Sequence, residues 1–471
     1  MAFNHGVNVN YIQRTARNAV RPDTATIALV GLAPKGPTNE LVTIRSLRQG
    51  LEVFGQQIAG STIPYALAAI FGESGAEVIV NNIFDPVLHG EAVQDEALSV
   101  ASGQAATGSD PYNAVTLTSS DGNTTYTEGT DYSIDAYGRI RVLDGTVIAD
   151  GDTILASYGR IDRDAVTNEQ VIGSLTGART GLHLLDAAPA SLGLVPKVIL
   201  VPELGEVQSV IDVMAAKAEQ FGAVYLVDAP NGTTVAQVVQ GRGPLGGVPG
   251  FRTTDKNAVL LYPYVKAVDS RTRPTNRPYG PFMAGVIAAT DAQFGVQRSP
   301  SNVELNGVKG TVLPISGGYG SAGSDANVLN EVGVNTVLVT NGRGIRAWGN
   351  RNGSSTPVQP NTEADVFISV QRVKHYVKAT IQLTMIDYLD REINRGLIDA
   401  IVETGSALLR GMGSEGILVG GTMRYVPEQN TEAAISAGIL EFEVEIFGPT
   451  PAENLRFGIT LNPDFLENLA A

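Results

Sequence analysis

The chain contains no cysteine. That absence removes disulfides, thiolate-ligated zinc, iron–sulfur clusters and thiol nucleophiles from consideration. Histidine is scarce as well: only His5, His89, His183 and His375 occur. No two of them stand at metal-ligand spacing, which argues against a histidine-based metal centre. No apolar run approaches the ~18 residues that a membrane-spanning helix needs. The opening MAFNHGVNVNYIQR has no apolar core of the secretory kind. Basic charge is also short. Lys+Arg is 33 against 48 Asp+Glu, a net charge of −15. A general binder of nucleic acid or of anionic membranes would need the opposite balance.

What is present is length, apolar residues and glycine. The 471 residues suit about three domains, and 43% are hydrophobic. Glycine at 53 residues exceeds the usual share of about 7% and points to many turns. Residues 1–22 stand apart, with Arg14, Arg17 and Arg21 and no acid. There Val7, Val9 and Tyr11 alternate with Asn8 and Asn10, a period-two strand pattern with no hairpin partner beside it.

From Thr24 onward strands alternate with helices. Thr26–Leu32, Glu77–Ile83, Lys197–Val201, Ala223–Val227, Ala258–Val265 and Val334–Thr340 read as strands. Ser61–Phe71, Glu206–Phe221 and Pro281–Phe294 read as helices between them. Residues 91–164 differ in texture, with short alternating runs broken by glycine turns. They hold thirteen acids and four arginines, so their charge is 4 − 13 = −9. This predicts a solvent-exposed β module set into the α/β region. After a polar loop at 350–361, helices are expected over Asp365–Asp390 and Ile393–Leu409. Strands are expected at Leu440–Ile446 and Leu455–Leu461.

The fold class is therefore α/β (α+β) and multidomain: a mixed sheet with flanking helices, an inserted all-β domain, and a C-terminal helix-plus-strand domain with extended terminal arms. The boundaries are 1–22 for the first arm, 23–90 with 165–350 for the discontinuous α/β domain, and 91–164 for the insertion. The C-terminal domain covers 351–449 and the second arm 450–471.

Motifs with chemistry fail on context. Gly241-x-Gly243-x-x-Gly246 follows a helical run instead of a strand, so a dinucleotide role is not expected. The loop Gly31–Gly36 lacks the Gly-Lys-Ser/Thr ending of a phosphate loop. Asp121, Asp144, Asp150 and Asp152 sit in glycine turns, which turn chemistry already explains without calcium. No catalytic, cofactor-binding or metal-binding residue is assigned. Arg271, Arg273 and Arg277, among Pro274 and Pro278, read as a structured surface loop.

Charge distribution is more informative. Arg372, Lys374, His375 and Lys378 lie in a stretch with no acid from Val366 to Ile386. It reads either as a solvated helix face or as a docking face for an acidic partner. In Leu440–Ile446, Glu441, Glu443 and Glu445 share one face and repel unless a cation or water lies opposite. Residues 1–22 carry +3, whereas residues 412–471 carry 2 − 9 = −7. Two readings follow: the first arm completes its own sheet, or strands are exchanged between subunits. The exchange candidates are Val7, Val9, Tyr11, Arg14, Arg17, Glu441, Glu443, Glu445, Leu455, Phe457, Ile459 and Leu461.

The segments LNEVGVN at 329–335 and GIRAWGNR at 344–351 resemble those of the tail sheath proteins of contractile bacteriophages. His5-Gly6-Val7 and Glu453-Asn454-Leu455 match as well, and the likeness spans nearly the whole chain except 91–164. The resemblance implies a structural, non-enzymatic subunit without cofactors that polymerises with itself as stacked hexameric rings around a tail tube. Its implied partners are the tail tube protein and the baseplate and tail terminator proteins, with no direct nucleic acid contact and no stable membrane insertion. The C-terminal domain would face the tube, with Arg372, Lys374 and Lys378 as candidate contacts. The implied location is the virion tail, assembled in the host bacterial cytoplasm, and the implied work is contraction that drives the tube through the host envelope. Such a machine without a nucleotide site must store energy in interfaces with two packings. Two alternatives stand beside this: a sheath subunit of a phage-derived device (type VI secretion or pyocin-like), and an α/β enzyme with an acidic β appendage.

Overall fold

The computed structural model describes residues 22–243, 251–317, 321, 323–340, 342–356 and 363–463. Its centre is an eight-stranded sheet. We label the strands Ile27–Gly31 (β1), Leu41–Ile44 (β2), Val78–Asn82 (β3), Val198–Leu200 (β4), Val224–Asp228 (β5), Ala258–Leu261 (β6), Val334–Thr340 (β7) and Gly344–Trp348 (β8). Across the sheet the order is β8-β7-β6-β5-β4-β1-β3-β2. The six inner strands are parallel, and the edge strands β2 and β8 run antiparallel to their neighbours. Parallel strands need both faces covered, so they are apolar on both. Ile27 and Leu29 enter one core with Val78, Val80, Leu200 and Leu226. Ala28 and Val30 enter the opposite core with Ile79, Ile199, Tyr225 and Leu260.

Helices Ile63–Glu73 and Gly280–Phe294 line the first face, contributing Leu67, Ile70, Met283 and Val286 to its core. They approach closely at Gly285, where an added Cβ would stand 2.8 Å from the Ile70 carbonyl oxygen. Helix Gln208–Phe221 supports the other face through Val210, Ile211 and Met214. The expected strand Ala258–Val265 is two elements. β6 stops at Leu261, and Val265–Val268 belongs to a separate three-stranded sheet with Pro274–Arg277 and Val308–Thr311. Pro263 between them has no N–H with which to continue a ladder.

Residues 90–161 form the inserted module. Its first strand, Gly90–Ser99, pairs antiparallel with its last, Thr153–Ile161, so entry and exit lie side by side. It has its own core of Leu98, Leu117, Tyr132, Ile140, Ile154 and Tyr158. It also docks on the hairpin next to it. Arg271 holds Asp110 through two bonds of 2.9 and 2.7 Å and lies 4.5 Å over the Tyr137 ring. Arg163 pairs with Glu203 at the exit. The arginines read as a surface loop thus belong to a hairpin, where Arg271 and Arg277 are engaged: Arg277 stacks 4.4 Å over Tyr65.

Gly241 ends helix Val235–Gly241, and the residue after it serves packing. The buried Arg242 guanidinium donates to the carbonyls of Val332, Phe251, Thr253, Gly353 and Ser355 at 2.5–2.9 Å. Burial pushes its pKa down to about 10. Five carbonyl dipoles in place of a counter-ion keep the charge satisfied.

Two compact units divide the described chain: Thr24–Lys374 with the segment from Gly448 onward, and His375–Phe447. The division falls inside helix Ile368–Met385. The boundary expected from the sequence lies at 351. Residues 351–374 are stitched to the sheet body, with Asn352 N–H donating to Val366 and Ile368 N–H to Asn350. The smaller unit holds helix Arg395–Ser414, hairpin strands Gly420–Tyr425 and Phe442–Phe447, and a short helix at Glu432–Ser436.

Candidate subunit-linking site

The C-terminal hairpin is built on helix Arg395–Ser414. Leu408, Leu409 and Met412 of that helix and Met423 of the hairpin are buried. Helix and strand approach at Gly405, where an added Cβ would collide with the Met423 Sδ. The strands pair antiparallel in register, Arg424 opposite Glu443 and Thr422 opposite Glu445. Arg424 Nη2 lies 2.5 Å from Glu443 and 3.8 Å from Glu445. The cation that a row of glutamates requires is therefore supplied by the neighbouring strand. Glu441 lies before the strand, which starts at Phe442 and not at Leu440. The Asn430 side chain holds Glu441 by accepting from its N–H and donating to its carbonyl, each at 2.8 Å.

Among the described residues this sheet has only these two strands. Each keeps an outer edge with no ladder partner, a geometry that accepts further strands. The segment expected as the strand Leu455–Leu461 forms no helix or strand in the isolated chain. Leu455, Phe457, Ile459 and Leu461 are 69%, 84%, 93% and 94% exposed. The alternation is right for a strand, but a strand exists only when its backbone groups find a ladder. Val7, Val9, Tyr11, Arg14 and Arg17 lie outside the described residues.

The basic helix divides into two kinds of residue. Lys374 and Lys378 are exposed, with Lys374 3.7 Å from Asp365. Arg372, expected beside them as a tube contact, is buried. Its side chain is 4% exposed and donates to Asp291 at 2.7 and 2.5 Å and to the Thr24 carbonyl at 2.8 Å. Helical spacing of the cations could not separate them, because the Asp291 partner comes from a helix about eighty positions away.

Several titratable groups have unusual environments. Burial raises Asp228 to about 8 and the neighbouring Glu206 charge adds to the rise. Its carboxylate accepts from Gly280 N–H at the start of helix Gly280–Phe294. Glu73 is raised to about 7, again by burial, and accepts from Asn306. No group of three or more acidic or histidine side chains is placed to hold a metal among the described residues. No described helix is long and apolar enough to cross a membrane.

Sequence families agree with this layout. The "Phage tail sheath protein central domain" matches residues 177–353, and the "Tail sheath protein Gp18 domain III N-terminal region" matches residues 24–83. The inserted module falls between the two matches. The chain belongs to the phage tail sheath protein family: it is 33% identical to the tail sheath protein of Burkholderia phage BcepMu over 99% of its own length and 98% of that protein. It is also 28% identical to the tail sheath protein of Escherichia phage P2, over 70% of this chain and 77% of that one. In fold it is similar to the helical sheath of the anti-feeding prophage in its contracted state. There the TM-score is 0.60 at 17% identity, covering 98% of this chain and all of that one.

Proposed function

We propose that this chain is the structural subunit of a contractile phage tail sheath, and that its subunits are linked by strands exchanged at the C-terminal hairpin. The kinship to the BcepMu tail sheath protein along nearly the whole of both chains supports the first statement. The open hairpin edges and the unpartnered apolar alternation at 455–461 support the second. In this reading the chain polymerises with itself as stacked hexameric rings, meets the tail tube, baseplate and terminator proteins, and does no chemistry of its own. It assembles in the host cytoplasm and resides in the virion tail. Contraction exchanges one subunit packing for another, and the tube is driven into the host envelope. Exchanged strands suit such a motion, because main-chain ladders hold neighbours while covalent chain tethers each strand to its body.

The test is electron microscopy of the purified full-length chain and of a truncation ending at Pro449. The full chain should form long tubes, and the truncation should remain a folded, soluble monomer. Tubes from the truncated chain would remove strand exchange by this arm. An unfolded truncation would mean that the arm completes its own domain.

A further inference from the structure

Three sequence segments far apart in the chain meet at one arginine, Arg351. Arg351 Nε and Nη2 donate to the two carboxylate oxygens of Glu453, each at 2.7 Å. The Arg351 carbonyl in turn accepts from the Asn335 side chain at 2.9 Å. The same Asn335 amide donates to Leu260 on β6 at 3.1 Å, so the backbone that carries Arg351 is tied to the sheet. The neighbouring backbone is fixed as well, since Ile368 N–H donates to Asn350 and Asn352 N–H to Val366. Arg351 thus projects from a rigid support, and the described residues from Asn454 to Asn462 form no helix or strand. Upstream, a Cβ added at Gly448 would stand 3.4–3.6 Å from Val370 and Val373.

We infer that Arg351 is a positioning residue for assembly: its two-point bond to Glu453 fixes where the C-terminal arm leaves the body and in which direction it starts. This rests on the strand-exchange reading given above and adds a residue to it. A two-point arginine–carboxylate pair sets orientation as well as distance, which a lysine would not. With the root held, the arm from Asn454 onward searches a restricted volume and meets a neighbour's hairpin at higher effective concentration. Arg351 is only partly exposed, and its pKa is pushed further up, first by the hydrogen bonds to Glu453, with the Glu453 and Glu331 charges adding. The segments 329–335, 344–351 and 453–455 would then be one device, in which Asn335 holds Arg351 and Arg351 holds Glu453.

The absence of cysteine makes the test clean. A nitroxide label on Asn454→Cys reports the mobility of the arm root in the monomer, and electron microscopy with sedimentation reports polymer yield in unlabelled chains. Glu453→Gln should keep the melting temperature, at least double the label's mobility and lower tube yield several-fold. The double swap Arg351→Glu with Glu453→Arg should restore both. Unchanged mobility in Glu453→Gln would show that the pair does not hold the root. Raised mobility with undiminished tubes would show that holding the root does not matter to assembly. Failure of the unmodified chain to form tubes would instead sink the sheath reading, while the label would still report whether the pair holds.

Discussion

Asp228 shows how one residue's setting carries a measurable consequence. Its carboxyl ends β5 in full burial and accepts from Gly280 N–H, yet burial and the Glu206 charge raise its pKa from 3.8 to about 8. The folded state therefore binds this proton more tightly than the unfolded chain. The stability it contributes is complete below about 3.8 and is lost as pH climbs through about 8. Asp228→Asn keeps a neutral acceptor for Gly280 and has no proton to lose. Melting curves from pH 5 to 9 should show the variant gaining on the parent chain as pH rises. Parallel curves would mean that Asp228 is already ionised in the fold. Arg242 and Arg372 are likewise buried, each satisfied by partners brought from distant sequence.

At the scale of elements, helix Ile368–Met385 sets its cations in two different environments. Arg372 points into the larger unit, whereas Lys374 and Lys378 are exposed. Only the lysines remain candidates for contact with the tube. Exposed charge pairs contribute ~0–1 kcal/mol each and are screened by salt, which suits a contact that must release. The double variant Lys374→Glu, Lys378→Glu should leave melting within about 1 °C and reduce co-sedimentation with tube protein, most strongly at low salt. Unaltered co-sedimentation at every salt concentration returns this face to simple solvation. Arg372→Glu, by contrast, would set two buried carboxylates together, and loss of fold there would say nothing about the tube.

For the whole molecule the informative feature is the insertion. Its ends meet at the Gly90–Ile161 pair, its core is separate, and it contacts the main body through Asp110, Tyr137 and Arg163. Replacing residues 91–160 by a two-residue Asn-Gly turn should leave the eight-stranded sheet intact. The cost is ~1–3 kcal/mol, from the Arg271 and Ala59 donors left without Asp110 and the Phe84 ring left without Tyr112. We expect the shortened chain still to form tubes, since −9 of charge in 74 residues belongs in solvent and not inside a subunit contact. A folded variant that no longer assembles would place the insertion in that contact.

Periodicity alone determined much of this protein. The parallel strands are legible because both faces are buried and their apolar runs are continuous, and the helices between them because their apolar stripe recurs at helical spacing. Motif segments 329–335, 344–351 and 453–455 were equally visible, since they depend only on residue identity at short range. Tertiary structure alone decided which charges are free. Arg271, Arg277 and Arg372 look in sequence like their exposed neighbours, and Arg242 like part of a glycine loop, until Asp110, Tyr65, Asp291 and five carbonyls arrive from elsewhere in the chain. The segment at 455–461 makes the same point in reverse: alternation encodes the capacity for a strand, but a ladder needs a second backbone, and none pairs with it among the described residues. Local pattern is a one-dimensional property and survives reading along the chain, whereas ion pairing and strand pairing depend on which distant residues the fold brings within a few ångströms.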